Sequence, residues 1–263
     1  MFPSDPAVAE LLTRGRIEIE GRLVDASNAT LFCEISGGDA VAHCVYKPVS
    51  GERGLWDFPD GTLAGREVAS FLVSEAAGLR VIPPTVLRSG PFGPGMVQLW
   101  VDTKEGDDLV DVVAPADVPR GWRQVLRAHD RFGEPAVLAH ADHSSVRLMA
   151  ALDVVLNNAD RKGGHVLHGT DGNVYGVDHG ICLHTEHKLR TVLWGWVGEA
   201  LPEDVLDMLG TLRSAMDDLS VVLVEHLTRA EVRAVHTRLT ELLAAGEFPT
   251  PGSDWRAIPW PAF

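Results

Sequence analysis

The chain has 263 residues, enough to bury a full core as one large domain or as two lobes. Its formal charge of −14, from 37 acidic and 23 basic residues, disfavours non-specific binding to nucleic acid or to an anionic membrane face, because the long-range field repels phosphate. No run of about 18 apolar residues is present, Met1 to Glu10 lacks the basic-then-apolar pattern of a signal peptide, and the three widely spaced cysteines, Cys33, Cys44 and Cys182, suggest neither a zinc site nor a disulfide framework, so a cytoplasmic protein with buried thiols is expected.

Ala7 to Arg14 reads as a short helix. Ile17 to Leu23 alternates apolar and polar residues and predicts a strand. Asp25 to Ala29 is a turn of small polar residues, Thr30 to Ile35 a second strand, Gly37-Gly38-Asp39 a hairpin turn, and Ala40 to Lys47 a third strand stopped by Pro48. Gly51 to Gly61 is a loop. Thr62 to Ala77 is helical, with Val68, Phe71, Leu72 and Glu75 at helical spacing and Gly78 as its C-cap. Val81 to Arg88 and Gly95 to Val101 are strands joined by a Gly/Pro turn. Three strands, a helix and two strands predict an antiparallel sheet carrying one helix.

Beyond Asp102 the pattern changes. Thr103 to Asp111 is acidic and reads as a linker, dividing the chain into an N-terminal lobe, 1–101, and a mainly helical C-terminal lobe, 102–263. Trp122 to Arg131 and Ser145 to Leu156 are predicted helices. A hairpin follows, from Val166-Leu167-His168 through Gly169-Thr170-Asp171-Gly172 to Val174–Val177. Pro202 to His226 and Arg229 to Ala245 are closing helices, with Thr228 an N-cap for the second. The tail from Gly246 to Phe263, rich in Pro and Trp, reads as an extended strap.

The most informative stretch is Asn157-Asn158-Ala159-Asp160-Arg161-Lys162-Gly163-Gly164-His165, followed by Val177-Asp178-His179-Gly180. Asp160 follows an apolar helix, on an irregular segment suited to a positioned base. A hairpin brings its ends together, so His165 and Asp178 should converge on one point, as two metal ligands do. Upstream, Lys47 ends a strand and Glu67 lies 20 residues on, in the next helix. A strand lysine held by a helix glutamate and aimed at nucleotide phosphates is the pair kinases use. The turn with Ser27 and Asn28 would then lie over the phosphates and offer them backbone N–H groups. Gln98 to Val101, including Trp100, would be the hinge beside the adenine.

These residues, in this order, resemble the protein-kinase-like superfamily. The local form is similar to the phosphatidylinositol 3/4-kinase-like and HipA-like branch, which carries Asp-Arg-His-x-x-Asn and then an apolar-Asp-apolar-Gly element. The resemblance implies an α+β, two-lobed fold that binds ATP with Mg2+ or Mn2+. It implies Asp160 as the catalytic aspartate, Asp178 as the main metal ligand, and Lys47 on the phosphates with Glu67 as its partner. Two positions depart from the pattern. Lys162 stands where histidine is frequent, and can neutralise the transferring phosphoryl. His165 stands where asparagine usually binds magnesium, and an imidazole admits manganese or a water-bridged magnesium. Leu183 to Trp196 would be the activation segment, with His184, His187, Lys188 and Arg190 as a basic island.

The function expected is transfer of the ATP γ-phosphate to a hydroxyl on a protein or small molecule rather than a lipid. The charge and the lack of a basic amphipathic helix oppose a stable membrane-bound role. The two departures raise an alternative, a nucleotide-binding pseudokinase acting as a regulatory or interaction module. A zinc hydrolase built on His140 and His143 with His179, His184 or His187 is disfavoured, because the first pair misses the i, i+4 helical spacing and encloses no glutamate.

Overall fold

The computed structural model describes residues 5–23, 29–104, 106–252 and 256–263. Helix α1 (Pro6–Arg14) leads into strands β1 (Arg16–Arg22), β2 (Leu31–Gly37) and β3 (Ala40–Pro48). After α2 (Leu63–Ala76) come β4 (Thr85–Gly90) and β5 (Gly93–Leu99). The sheet order is β1-β2-β3-β5-β4, antiparallel throughout. One face carries a small core in which Leu12 of α1 meets Cys33, Ile35, Cys44, Tyr46 and Val97. Because side chains alternate along a strand, Cys44 and Tyr46 facing that core send Lys47 to the other face, towards α2.

Helix α2 is capped by Thr62, whose hydroxyl accepts the Gly65 N–H at 2.9 Å, and it ends before Gly78, which takes the left-handed conformation at φ 72°. It is buried almost all round, so Glu67 lies inside the protein. Beside it Arg66, also buried, donates to Glu231, to the Cys182 carbonyl at 2.8 Å and to the Asp60 carbonyl at 3.1 Å.

The second half holds α3 (Ser144–Leu156), α4 (Glu203–Leu223) and α5 (Arg229–Ala245). These and α2 share the main core, where Phe71 and Val73 meet Leu152, Leu156, Leu209, Leu212, Val235 and Leu239. Thr228 and Glu231 form a reciprocal capping box at the start of α5.

Two expectations are corrected here. The segment expected as a helix over 122–131 is strand β7 (Trp122–His129), in an antiparallel sheet of order β6-β8-β7 with β6 (Val110–Val113) and β8 (Pro135–Ala141). Gln, Leu, Arg and Ala favour helix only weakly, and β8, buried from Ala136 to His140, supplies a ladder partner that overrides them. Nor are the described residues of 103–111 a free linker. Lys104 N–H donates to His168 at 3.3 Å, Asp107 pairs with His168 at 2.9 Å, and Leu109 is buried. His168 belongs to the expected hairpin, β9 (Val166–His168) and β10 (Val174–Gly176). Among the described residues no helix is long and apolar enough to cross a membrane.

Candidate active site

Lys47 Nζ donates to Glu67 Oε1 at 2.8 Å and to Asp178 Oδ1. The second carboxylate oxygen of Glu67 accepts the His179 N–H at 2.8 Å. One buried glutamate therefore ties the strand lysine to the backbone that presents Asp178. Burial opposes the charge on Lys47, but Glu67 and then Asp178 outweigh it and raise its pKa above the ordinary lysine value. Lys47 in turn holds the Asp178 carboxyl well below the usual carboxylate range, against the cost of desolvation. Asp178 sits at φ 63°, a left-handed conformation uncommon for any residue but glycine and best tolerated by Asp and Asn.

Asp160 is placed by a rigid floor. Helix α3 ends at Asn157 in the left-handed conformation, and the Asn157 amide binds the carbonyls of His184 and Glu186 and the Lys188 N–H. Asn158 Oδ1 accepts the Asp160 N–H at 3.0 Å, while its Nδ2 donates to Asp153 at 2.9 Å. Arg161, fully buried, pairs with the equally buried Asp153 at 2.9 Å and donates to His179 Nε2 at 2.6 Å and to the Val177 carbonyl at 3.0 Å. Burial drives the His179 pKa far down, which leaves a neutral ring able to accept from Arg161. Burial also raises the Asp160 pKa, opposed chiefly by Lys162, whose Nζ stands 3.7 Å from the carboxylate.

The β9–β10 hairpin closes with Val177 N–H donating to the His165 carbonyl at 3.0 Å, and it brings His165 Nε2 to 3.4 Å from Asp178 Oδ2. Burial lowers the His165 pKa to about 4, so near neutral pH the ring is uncharged and free to ligate. Among the described residues no three or more His, Cys, Asp or Glu side chains are grouped to hold a metal by themselves. Two oxygen or nitrogen donors beside a cleft still fit a magnesium- or manganese-type ion that takes its remaining ligands from phosphate and water.

Lys47, Glu67, Asp160, His165 and Asp178 line one cavity of about 340 Å3, together with Glu52, Arg53, Leu63 and Ile181. Lys162 joins it through Asp160. Gln98 and Trp100 do not line it. Gln98 is buried and donates its amide to Thr85 at 2.8 Å, and Trp100 packs edge-on against Phe32 at the rim of a separate cavity of about 210 Å3. Ser27 and Asn28 lie outside the described residues. His140 and His143 are also apart from the site. His140 Nε2 accepts the Gly195 N–H at 3.0 Å and His143 caps α3. A larger apolar cavity of about 1420 Å3 is lined by β7, β8 and the tail, Ala262 and Phe263 included.

Several residues of the site carry no local sequence signal. Glu52 grips the first N–H groups of α2 through both oxygens, at 2.9 Å to Leu63 and 2.8 Å to Ala64. Asp153 had one available clue, a lone acid inside an otherwise apolar helix, which demands a buried partner.

The fold is protein-kinase-like. Two crystal structures of the Golgi casein kinase, one of them with Mn/ADP bound, resemble it at a TM-score of 0.53 each, with 14% and 15% identity. They cover 93% and 92% of this chain and 75% and 76% of theirs. Protein Rv2133c of Mycobacterium tuberculosis is 50% identical over 264 residues, covering 96% of this chain and 94% of that protein. The chain belongs to the family of Rv2133c. No family model matches its sequence.

Proposed function

We propose that the protein is an ATP-dependent phosphotransferase that moves the γ-phosphate to a hydroxyl of a protein or small molecule, with Asp160, Lys162, Lys47, Glu67, His165 and Asp178 as its working residues. The observation that carries this reading is the meeting of the Lys47–Glu67 pair, the Asp178–His165 pair and Asp160 around one cleft. Lys47 would hold nucleotide phosphates while Glu67 keeps the amine aimed. Asp178 and His165 would bind Mg2+ or Mn2+, which when bound neutralises phosphate charge. The Mn/ADP found with the Golgi casein kinase supports this pairing of cofactors. Asp160 would accept the proton of the attacking hydroxyl as the new O–P bond forms and the bond to the leaving ADP breaks. Lys162, beside it, would offset charge on the transferring group.

The Asp-Arg-x-x-x-His and Val-Asp-x-Gly spacing supports the phosphatidylinositol 3/4-kinase-like and HipA-like branch. Under this reading residues 1–101 supply the phosphate-binding wall and 102–263 the catalytic and metal-binding wall, and the protein works in the cytoplasm. The alternative, a pseudokinase, is motivated by the ion pairing of Lys162 with Asp160. Incubation with ATP and Mg2+ or Mn2+ is expected to yield ADP, and Asp160→Ala or Asp178→Ala to abolish it. Full turnover in both variants would sink the assignment. Nucleotide binding without turnover, unchanged by Asp160→Asn, would favour the pseudokinase.

A further inference from the structure

The tail segment 256–263 touches the catalytic loop directly. The Ala262 carbonyl accepts the Gly163 N–H at 2.8 Å. The Phe263 ring lies so close over Gly163 that a Cβ there would stand 2.1 Å from Phe263 Cε1, and the two next-nearest atoms are also of that ring. At the neighbouring Gly164 a Cβ would meet nothing within 4 Å. Gly163 is thus fixed by the tail rather than by its own backbone conformation. At its other end the same segment offers the Ala257 carbonyl to Thr191 N–H at 3.0 Å and to Trp194 Nε1 at 2.8 Å. Thr191 is bridged in turn to Arg161, and Val192 N–H donates to the Arg161 carbonyl at 3.1 Å. The segment therefore spans the loop from 160 to 165, holding Gly163 on one side and the chain that pairs with Arg161 on the other.

Phe263 is 50% exposed, so its ring adds little to the core. What it covers is Gly163, the first residue of the turn Gly163–His165 that sets His165 against Asp178 and leaves Lys162 beside Asp160. We propose that Phe263, with the Ala262 carbonyl, is a positioning residue that clamps this turn in the geometry phosphoryl transfer requires. The proposal rests on the phosphotransferase reading above. A displacement of about 1 Å in a catalytic group is enough to slow turnover about 100-fold, so a clamp that adds little stability can still govern rate.

The test compares wild type with Phe263→Ala, Gly163→Ala and the double variant. Turnover of ATP with Mn2+ and amide hydrogen exchange over 162–165 are measured for each, and thermal unfolding confirms the fold. Phe263→Ala is expected to lower kcat severalfold with little change in the KM for ATP, and to speed exchange at Gly163. Gly163→Ala is expected to lower kcat more than tenfold, and Phe263→Ala in that background to restore most of it, because the three atoms nearest the added Cβ all belong to that ring. Unchanged exchange and kcat in Phe263→Ala, or a double variant no better than Gly163→Ala, would overturn the clamp. A wild type without turnover would defeat the phosphotransferase reading. The exchange measurement then judges the clamp by itself, upheld if Phe263→Ala speeds exchange and overturned if it does not.

Discussion

Asp178 illustrates how one residue answers several demands. It needs a carboxylate for Lys47 and His165, and it needs tolerance of a left-handed backbone. Asparagine meets the second demand and fails the first. Asp178→Asn is therefore expected to fold, at some cost in stability from the lost Lys47 ion pair, while losing at least about 100-fold in turnover, the scale of removing one preorganised charge contact. Circular dichroism and ADP release check the two halves. Asp160 makes a second residue-scale case. Its pKa is raised by burial and held back first by Lys162. Lys162→Met removes the cation that favours the carboxylate, so the acid limb of the pH–rate profile is expected to move to higher pH. A limb that stays in place or moves down would contradict a base role for Asp160.

Among the elements, α5 allows two effects to be separated. Thr228→Ala removes only a cap and is expected to cost about 1 kcal/mol. Glu231→Ala removes the other half of the capping box and also leaves Arg66 buried without its carboxylate, so about 3–5 kcal/mol is expected. Urea unfolding of both variants measures the difference. The Thr228 cap was legible in the sequence because a cap is a local pattern. The Arg66 partner was not, since the two residues stand 165 positions apart and neither has a neighbouring signal. The same division runs through the molecule. Strands β1 to β5, helix α2 and the β9–β10 hairpin follow from alternation, turn residues and caps. The convergence of His165 with Asp178 followed from the hairpin alone. The sheet of β6, β7 and β8 was missed because its strands pair across loops, and the contact of Phe263 with Gly163 because nothing local announces where a tail will settle. Lys47 and Glu67 were found only because a known pairing supplied the long-range link.

At the scale of the whole molecule, buried histidines shape the response to acid. Burial pulls His140 and His165 from 6.5 to about 4 and lowers His179 and His226. As pH falls from about 6.5 towards about 4, the unfolded chain takes up protons that the native protein refuses. Stability is therefore full above that window and declines within it. His140, distant from the cleft, gives a clean test. His140→Gln is expected to flatten the dependence by about one proton, or ~1.4 kcal/mol per pH unit, in urea unfolding between those limits. An unchanged slope would refute the account.

Arg66 carries a further consequence. In kinases the helix bearing the glutamate is a common control point, swung out to break its lysine contact and back to restore it. Here the residue next to Glu67 is anchored at Glu231 and at the Cys182 carbonyl. Swinging α2 out would strand that charge, at about 3–5 kcal/mol, so the released form would be on the order of one molecule in a hundred or fewer. Under the phosphotransferase reading, a catalyst built in this way would stand permanently cocked. Its output would follow the arrival of its substrates, and whatever governs that arrival would be its throttle.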